Sequence, residues 1–112
     1  TASAEKSGRI VFGDVEIDRE RRKVQLNGKR LDLTAKEFDL LLLFATHPGK
    51  TYTREQLLEI VWGYQFNGYD HTVNSHINRL RSKIEQDMSK PKYILTAWGV
   101  GYRFAELEEV EK

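Results

Sequence analysis

The sequence predicts an α+β fold, and three observations support that prediction. In the first third of the 112-residue chain, apolar residues such as Val15 and Ile17 alternate with polar ones, which is the period of a half-buried strand. After Thr34 the apolar residues recur every three or four positions, as they do in an amphipathic helix. Short strand-like runs return around Gly99 and Gly101. Strands are therefore expected at both ends of a helical centre.

The N-terminal strands are predicted at residues 9–12, 15–18, 23–26 and 30–33. Asn27-Gly28 lies between the last two and is a strong hairpin signal, because both central residues of a type I′ turn need positive φ. Gly13-Asp14 marks another turn. The run predicts a four-stranded antiparallel meander with one face in water.

Two capping boxes mark the next two helices. Thr34 with Glu37, and Thr53 with Gln56, have the spacing at which each side chain caps the backbone N–H of the other residue. The first helix is expected to stop at Pro48-Gly49. The apolar residues assigned to the two helices are Phe38, Leu41, Leu42 and Ala45, then Leu57, Leu58 and Val61.

A third helix, predicted over residues 70–88 with Asp70 as its cap, has an unusual polar face. Its apolar stripe consists of Val73, Ile77, Leu80 and Ile84. The polar side carries His71, Ser75, Asn78, Arg79 and Ser82 instead of the usual Glu/Lys pairs. Such side chains can donate to and accept from base edges in a DNA major groove. A face that is only solvated is the alternative that the sequence leaves open.

The last run, PKYILTAWGVGYRF (residues 91–104), predicts a hairpin. Two helices joined by a loop, the second with a polar face, followed at once by a hairpin, describe a winged helix-turn-helix. The predicted fold thus has an N-terminal four-stranded antiparallel sheet, three helices and a C-terminal β-hairpin wing. In that arrangement the last helix enters the major groove, and the wing reaches an adjacent backbone or minor groove.

The chain is expected to consist of a linker (1–8), one domain (9–105) and an acidic tail (106–112). The formal net charge is +1, but residues 105–112 carry −3 and residues 67–104 carry +3. The tail therefore masks a basic region that a polyanion would meet locally. Its composition is that of a peripheral, solvated segment.

Several function classes are disfavoured. The absence of cysteine excludes disulfides and thiolate metal sites and weakly favours an intracellular protein. The longest apolar run, residues 40–45, is far too short to span a membrane, and no signal peptide is visible. His71 and His76 are five residues apart and do not share a helical face. Gly99-Val100-Gly101 is not a phosphate-cradling loop. No enzyme, metal or cofactor is therefore expected.

Three stretches together resemble a known family: LTAKEFDLLLLFATHPGKTYTREQLLEIVWG, HTVNSHINRLRSKIE and YILTAWGVGYRF. They resemble the C-terminal winged-helix DNA-binding effector domain of OmpR/PhoB-type two-component response regulators, over residues 11–104. The resemblance implies binding to double-stranded promoter DNA, usually as head-to-tail homodimers on direct repeats. It also implies contact with RNA polymerase, a bacterial cytoplasmic location, and control by a sensor histidine kinase acting on a receiver domain that would precede this chain.

The resemblance assigns roles to individual positions. Contacts to DNA phosphates fall on Trp62, Thr72, His76, Arg81, Thr96 and Tyr102. Base reading falls on Asn74, Ser75, Asn78 and Arg79. The loop that faces polymerase maps to Gly63, Tyr64, Gln65, Phe66, Asn67, Gly68 and Tyr69. The predicted DNA-binding set is completed by His71 on the polar face, Lys83 at the helix edge and Trp98 on the wing.

This chain departs from the family pattern at three positions. His71 stands where many relatives have Arg, and Asn74 where Asp is common. Trp98 occupies the wing position that often holds a minor-groove Arg. Its indole could stack on a sugar, pack on the domain or face solvent, and for Arg103 a phosphate contact and a solvated strand residue are equally open.

A second function class competes with DNA binding. Winged helices can use the same helix on a protein partner, and the aromatic Tyr64, Phe66 and Tyr69 favour such a protein-interaction module locally. The polar helix favours DNA overall. An RNA-binding role is less favoured because the A-form major groove excludes a helix.

Overall fold

The computed structural model describes residues 8–63 and 70–111, and the side chains of Asp70, His71, Leu107 and Glu111 are not part of that description. The strands are β1 (Arg9–Phe12), β2 (Val15–Asp18), β3 (Lys23–Leu26), β4 (Lys29–Leu31), β5 (Thr51–Thr53), β6 (Ile94–Ala97) and β7 (Gly101–Phe104). The helices are α1 (Ala35–Thr46), α2 (Arg54–Leu57), which continues as a π-helical turn (Leu58–Trp62), α3 (Asp70–Ile84) and α4 (Leu107–Glu111).

The first sheet is the predicted antiparallel meander, with the strand order β1-β2-β3-β4. Positive φ at Asn27 (54°) and Gly28 (80°) is consistent with the type I′ turn inferred from the sequence. The side chains of Phe12, Val15, Ile17 and Val24 are buried against the helices. The fourth strand begins and ends slightly earlier than predicted, at Lys29–Leu31.

A second sheet, with the order β5-β7-β6, was only partly foreseen. The hairpin β6-β7 was predicted, but β5 was not, because it is only three residues long and runs directly into a capping box. It pairs antiparallel with β7, with Tyr52 opposite Tyr102. A Cβ atom built on Gly101 would lie 2.0 Å from the carbonyl oxygen of Tyr52, so this close pairing requires glycine. The hairpin is thereby attached to the start of α2.

Both predicted capping boxes are present. Thr34 Oγ1 accepts from the N–H of Glu37 at 3.2 Å, and Glu37 Oε1 accepts from the N–H of Thr34 at 3.1 Å. Thr53 and Gln56 form the equivalent pair at the start of α2. Hydrogen bonds that satisfy the free N–H groups of the first turn fix where each helix begins.

Helix α3 buries its whole apolar stripe, since Val73, Ile77, Leu80 and Ile84 are at most 1% exposed. The predicted end near Met88 is wrong, because the helix ends at Ile84. The next residue, Glu85, is buried, and its carboxylate accepts from the backbone N–H groups of Lys92, Tyr93 and Ile94. These bonds draw the following segment back towards the start of β6.

The expectation of a solvated tail is also wrong. Residues 107–111 form helix α4, in which Val110 is only 3% exposed. Arg103 on β7 donates to both carboxylate oxygens of Glu109, at 2.8 and 3.0 Å. These bonds raise the pKa of Arg103, and they show that its side chain is not simply solvated. The acidic composition wrongly indicated a solvated segment, because Glu108 and Glu109 are exposed while the single valine packs inward.

Candidate nucleic-acid interface

The polar face of α3 is exposed where the sequence placed it. Ser75, Asn78, Arg79 and Ser82 are exposed, whereas the apolar stripe on the opposite side is buried. The stripe fixes this orientation, because rotating the helix would bring apolar side chains into water. The face therefore presents an arginine, an amide and hydroxyl-bearing side chains outward, which is the chemistry of base-edge recognition.

Asn74 connects three elements of the structure. Its Oδ1 atom accepts from Arg54 Nε at 2.9 Å and from the hydroxyl of Tyr102 at 2.7 Å. Arg54 lies at the start of α2 and was not among the predicted site residues. No sequence signal links it to a residue 20 positions away, since the contact exists only once the two helices pack. The side-chain oxygen of Asn74 is therefore engaged internally.

Arg81 joins α3 to the hairpin. Its Nε donates to the carbonyl of Ile94 at 3.1 Å, and one terminal nitrogen donates to Thr96 Oγ1 at 2.8 Å. The guanidinium also lies 5.3 Å from the centre of the Tyr102 ring, within cation–π range. Burial lowers the pKa of Arg81 from its ordinary value, although Tyr102 and Glu85 oppose that shift. The structure thus brings together three of the predicted phosphate-contacting residues.

Lys83 is partly buried and bonds to an interior carboxylate. Its Nζ lies 2.6 Å from Oε1 of Glu37, whose side chain is 1% exposed. Burial alone would raise the pKa of Glu37, but the hydrogen bonds from Lys83 and the Thr34 backbone and the charges of Lys83 and His76 lower it overall. The ammonium group of Lys83 is thereby neutralised within the fold, which argues against the phosphate contact predicted for it.

Trp62, Thr72 and His76 lie together where the end of the π-helical turn meets α3. The rings of Trp62 and His76 are 4.9 Å apart in an edge-on arrangement. Nδ1 of His76 lies 2.8 Å from the carbonyl oxygen of Thr72, which can only accept, so Nδ1 carries the proton. Three further residues to which the resemblance assigns phosphate contacts therefore form one cluster.

Trp98 lies at the tip of the hairpin and is 90% exposed. The turn is closed by a hydrogen bond from the N–H of Val100 to the carbonyl of Ala97 at 2.9 Å. Of the three positions considered for the indole, packing on the domain is wrong. The neighbouring Val100 is 53% exposed, so the tip is apolar and faces outward.

The predicted polymerase-facing loop lies mostly outside the described residues. Gly63 is described, with a φ of 93° and its N–H bonded back to the carbonyls of Leu58 and Glu59. Residues 64–69, including the aromatic residues of the competing hypothesis, are not described, and neither is the side chain of His71.

Two further features of the described residues concern membrane spans and metal sites. None of its helices is long and apolar enough to cross a membrane. Within residues 8–63 and 70–111, no three His, Cys, Asp or Glu side chains gather as the ligands of a metal ion would.

Comparisons with known proteins agree with the resemblance. The sequence profile of the family described as "Transcriptional regulatory protein, C terminal" matches residues 28–104. The DNA-binding response regulator MtrA of Mycolicibacterium smegmatis is 46% identical over 94 residues, which are 84% of this chain and 41% of that protein. This chain thus spans about two fifths of the length of the curated relatives it matches.

Two solved structures are also similar. One is the Thermotoga maritima response regulator DrrB, described as an OmpR/PhoB homologue, with a TM-score of 0.83 and 43% identity over 94% of this chain and 48% of that one. The other is the DNA-binding domain of Klebsiella pneumoniae RstA in complex with the RstA box. Its TM-score is 0.79, with 37% identity over 87% of this chain and 96% of that one.

Proposed function

Because this chain belongs to the family of C-terminal domains of transcriptional regulatory proteins, the effector domains of OmpR/PhoB-type response regulators, we propose that it binds double-stranded DNA sequence-specifically to regulate transcription. The observation that supports this most directly is the exposed face of α3, with Ser75, Asn78 and Arg79, beside a hairpin fixed to the same helix. A helix of this kind fits the major groove of B-form DNA.

The residues divide into two roles under this proposal. Base reading belongs to the exposed Ser75, Asn78 and Arg79 and to the remaining amide hydrogens of Asn74. Phosphate contacts belong to the cluster Trp62, Thr72 and His76 and to the groups on and near the hairpin, Arg81, Thr96 and Tyr102. The RstA domain supports the proposal because a relative with the same fold was crystallised with its DNA box.

The partners of the whole protein are part of the same proposal. We infer a receiver domain preceding this chain, phosphorylated by a sensor histidine kinase in the bacterial cytoplasm. We also infer a homodimer on direct repeats of promoter DNA and contact with RNA polymerase through residues 63–69. These inferences rest on family membership and on relatives that are more than twice the length of this chain.

The test is a titration of the domain with labelled duplexes at several salt concentrations. One duplex is selected from a random library by binding to the domain, and the other has a scrambled sequence. We expect the selected duplex to bind at least tenfold more tightly, with log K falling at a slope of about −0.9 per neutralised phosphate. Equal, weak binding of both duplexes would reject sequence-specific recognition. Failure to bind either, together with capture of a protein partner through α3, would favour the protein-interaction module.

A further inference from the structure

The side-chain amide of Asn74 has its orientation fixed by two neighbouring donors. Its Oδ1 atom accepts from Arg54 Nε at 2.9 Å and from the hydroxyl of Tyr102 at 2.7 Å. An arginine nitrogen can only donate, so the atom that faces Arg54 is the amide oxygen and not the amide nitrogen. An amide oxygen has two lone pairs, and both are therefore occupied. Asn74 has no acceptor left for another molecule.

The two donors are themselves held in place. Arg54 is the first residue of α2, whose start is fixed by the capping box of Thr53 and Gln56. Tyr102 is 7% exposed, and its ring centre lies 5.3 Å from the guanidinium of Arg81. Turning the amide over would place its NH2 group against Arg54 Nε, which cannot accept, and would lose both hydrogen bonds. The free domain therefore keeps one orientation of this amide.

The nitrogen of the same amide is available to another molecule. Nδ2 of Asn74 makes no hydrogen bond to the described residues, and no buried side-chain nitrogen or oxygen among them lacks a partner, so Nδ2 is open to solvent. Asn78 lies one turn further along the same side of α3 and is exposed, as is Ser75. The NH2 group thus belongs to the face that is proposed to enter the major groove, and it offers two donors there.

The bases differ in what such a group can bind. An unrestrained asparagine pairs with adenine through two bonds, because its oxygen accepts from N6 and its nitrogen donates to N7. The oxygen of Asn74 is not free for the first of these bonds, and its NH2 group would face the NH2 group of adenine. Guanine presents two acceptors at the same edge, N7 and O6, and no donor. An amide that only donates therefore matches guanine and opposes adenine.

We propose that Arg54 and Tyr102 are positioning residues that make Asn74 a donor-only reader, so that the domain selects guanine over adenine at the base that Asn74 meets. This inference rests on the proposed function and specifies the base chemistry of one contact within it. The aspartate that is common at this position in the family can only accept when it is ionised, so the inference concerns the asparagine of this chain.

The experiment first locates the base. Duplexes are selected from a random library with the wild-type domain and with Asn74→Ala, and the position that Asn74 reads is the one at which only the variant loses its preference. Four duplexes that differ only at that position are then titrated at fixed salt. The wild-type domain should bind the guanine duplex about tenfold more tightly than the adenine duplex, as expected for one good base contact.

Three variants test the role of the two donors. Arg54→Ala combined with Tyr102→Phe frees the oxygen, so the amide can turn and pair with adenine, and the two duplexes should bind about equally. Arg54→Lys keeps a side chain that only donates and should keep the preference for guanine. Asn74→Asp presents an acceptor, so its preference should move to cytosine, whose N4 donates. Arg30→Ala, at an exposed arginine on β4, is the matched control and should leave the base preference unchanged.

The readout is a ratio of affinities, which a merely structural role would not change. If Arg54 and Tyr102 only held α2 and the hairpin to α3, their loss would weaken binding to all four duplexes alike. An undiminished ratio of guanine to adenine affinity in the folded double variant would therefore overturn the inference. Circular dichroism establishes folding. If the double variant does not fold, Asn74→Asp decides the matter, since a preference for cytosine supports the inference and a retained preference for guanine overturns it.

The outcomes separate this inference from the proposed function. If the wild-type domain shows no base preference at any position, the proposed function itself fails. If it shows preferences, but Asn74→Ala keeps all of them, Asn74 reads no base and only the present inference is overturned. A preference of the wild-type domain for adenine at the position of Asn74 overturns it as well.

Discussion

The ammonium of Lys83 lies 2.6 Å from Oε1 of Glu37, and this pair links the C-terminal half of α3 to the first turn of α1. Glu37 simultaneously closes the capping box with Thr34. The buried carboxylate of Glu37 thus caps the start of α1 and also binds the lysine that helps to position α3.

Lys83→Ala should lower the free energy of unfolding by about 1–3 kcal/mol, because Glu37 keeps its burial but loses its charged donor. Chemical denaturation measures the change. Lys90→Ala, at an exposed lysine, is the control and should change stability by less than about 0.5 kcal/mol. The salt slope of DNA binding should be the same in Lys83→Ala as in the wild type, and a flatter slope would restore Lys83 to the phosphate-contacting set.

Acid should remove the stabilisation that Glu37 provides. Because its pKa in the folded state is lowered from the ordinary value of 4.5, the unfolded chain binds more protons in the interval between the two values. The contribution is complete above the ordinary value and is lost as pH falls through the lowered one. Denaturation between roughly pH 3 and pH 7 should show a steeper acid loss in the wild type than in Glu37→Gln. Parallel profiles would contradict this assignment.

Asn78 and Arg79 should carry sequence discrimination. Both are exposed, so truncating either one should change stability by less than about 0.5 kcal/mol. Each alanine substitution should weaken binding to the selected duplex by about 1–3 kcal/mol and leave binding to scrambled duplex nearly unchanged. The decisive quantity is the ratio of the two affinities at fixed salt. An undiminished ratio in the folded double mutant would show that this face does not read bases.

Arg81 should act both on DNA and on the hairpin. Two of its five N–H groups bond to β6, which leaves others free for a phosphate. Arg81→Ala should therefore flatten the salt slope by about 0.9, whereas Arg81→Lys keeps the charge and should keep the slope. Both variants should hold the hairpin less firmly to α3, since a lysine cannot make the same two-point contact with β6. An unchanged slope in Arg81→Ala would remove it from the phosphate-contacting set.

The C-terminal helix α4 should be required for full stability. Val110→Ala should lower the free energy of unfolding by about 1–3 kcal/mol, because its side chain packs into the site beside Gly13 and Tyr93. Truncation after Ala105 should cost at least as much, since it also removes the partner of Arg103. Glu108→Ala, at an exposed position, is the control. Equal stability of the truncated and full-length chains would mean that α4 packs too weakly to matter.

Much of the fold could be predicted because its signals are local. The capping boxes at Thr34 and Thr53, the Asn27-Gly28 turn and the apolar stripe of α3 depend only on neighbouring residues, and all of them appear in the structure. Strand β5 was not predicted because three residues are too few to show an alternating apolar pattern. The strand exists only by pairing with β7. Helix α4 was not predicted because the acidic composition of the segment conceals its buried apolar residue, Val110. The residues that contact Val110 lie far away in sequence.

The site was predictable in its exposed part and not in its internal bonds. Periodicity places Asn78 and Arg79 on the outer face, since the stripe fixes the rotation of the helix. Periodicity cannot show that Asn74 bonds to Arg54, or that Lys83 turns towards Glu37, because these distances depend on how helices pack. The sequence therefore distinguishes the polar side of α3 from its apolar side. It does not distinguish the polar residues that stabilise the fold from the polar residues that remain available to bind another molecule.

The pairing of β5 with β7 sets an order of events during synthesis on the ribosome. Tyr52 and Tyr102 are about 50 residues apart, so the intervening α2, α3 and β6 emerge before the contact that closes the loop can form. A nascent chain that ends before Gly101 has an unpaired β5, no complete hairpin and no hydroxyl of Tyr102 to bond to Asn74. The second sheet and the hydrogen bond between β7 and α3 therefore form only after Phe104 has left the exit tunnel, and a segment that contains α2 and α3 alone would lack the strand that holds them.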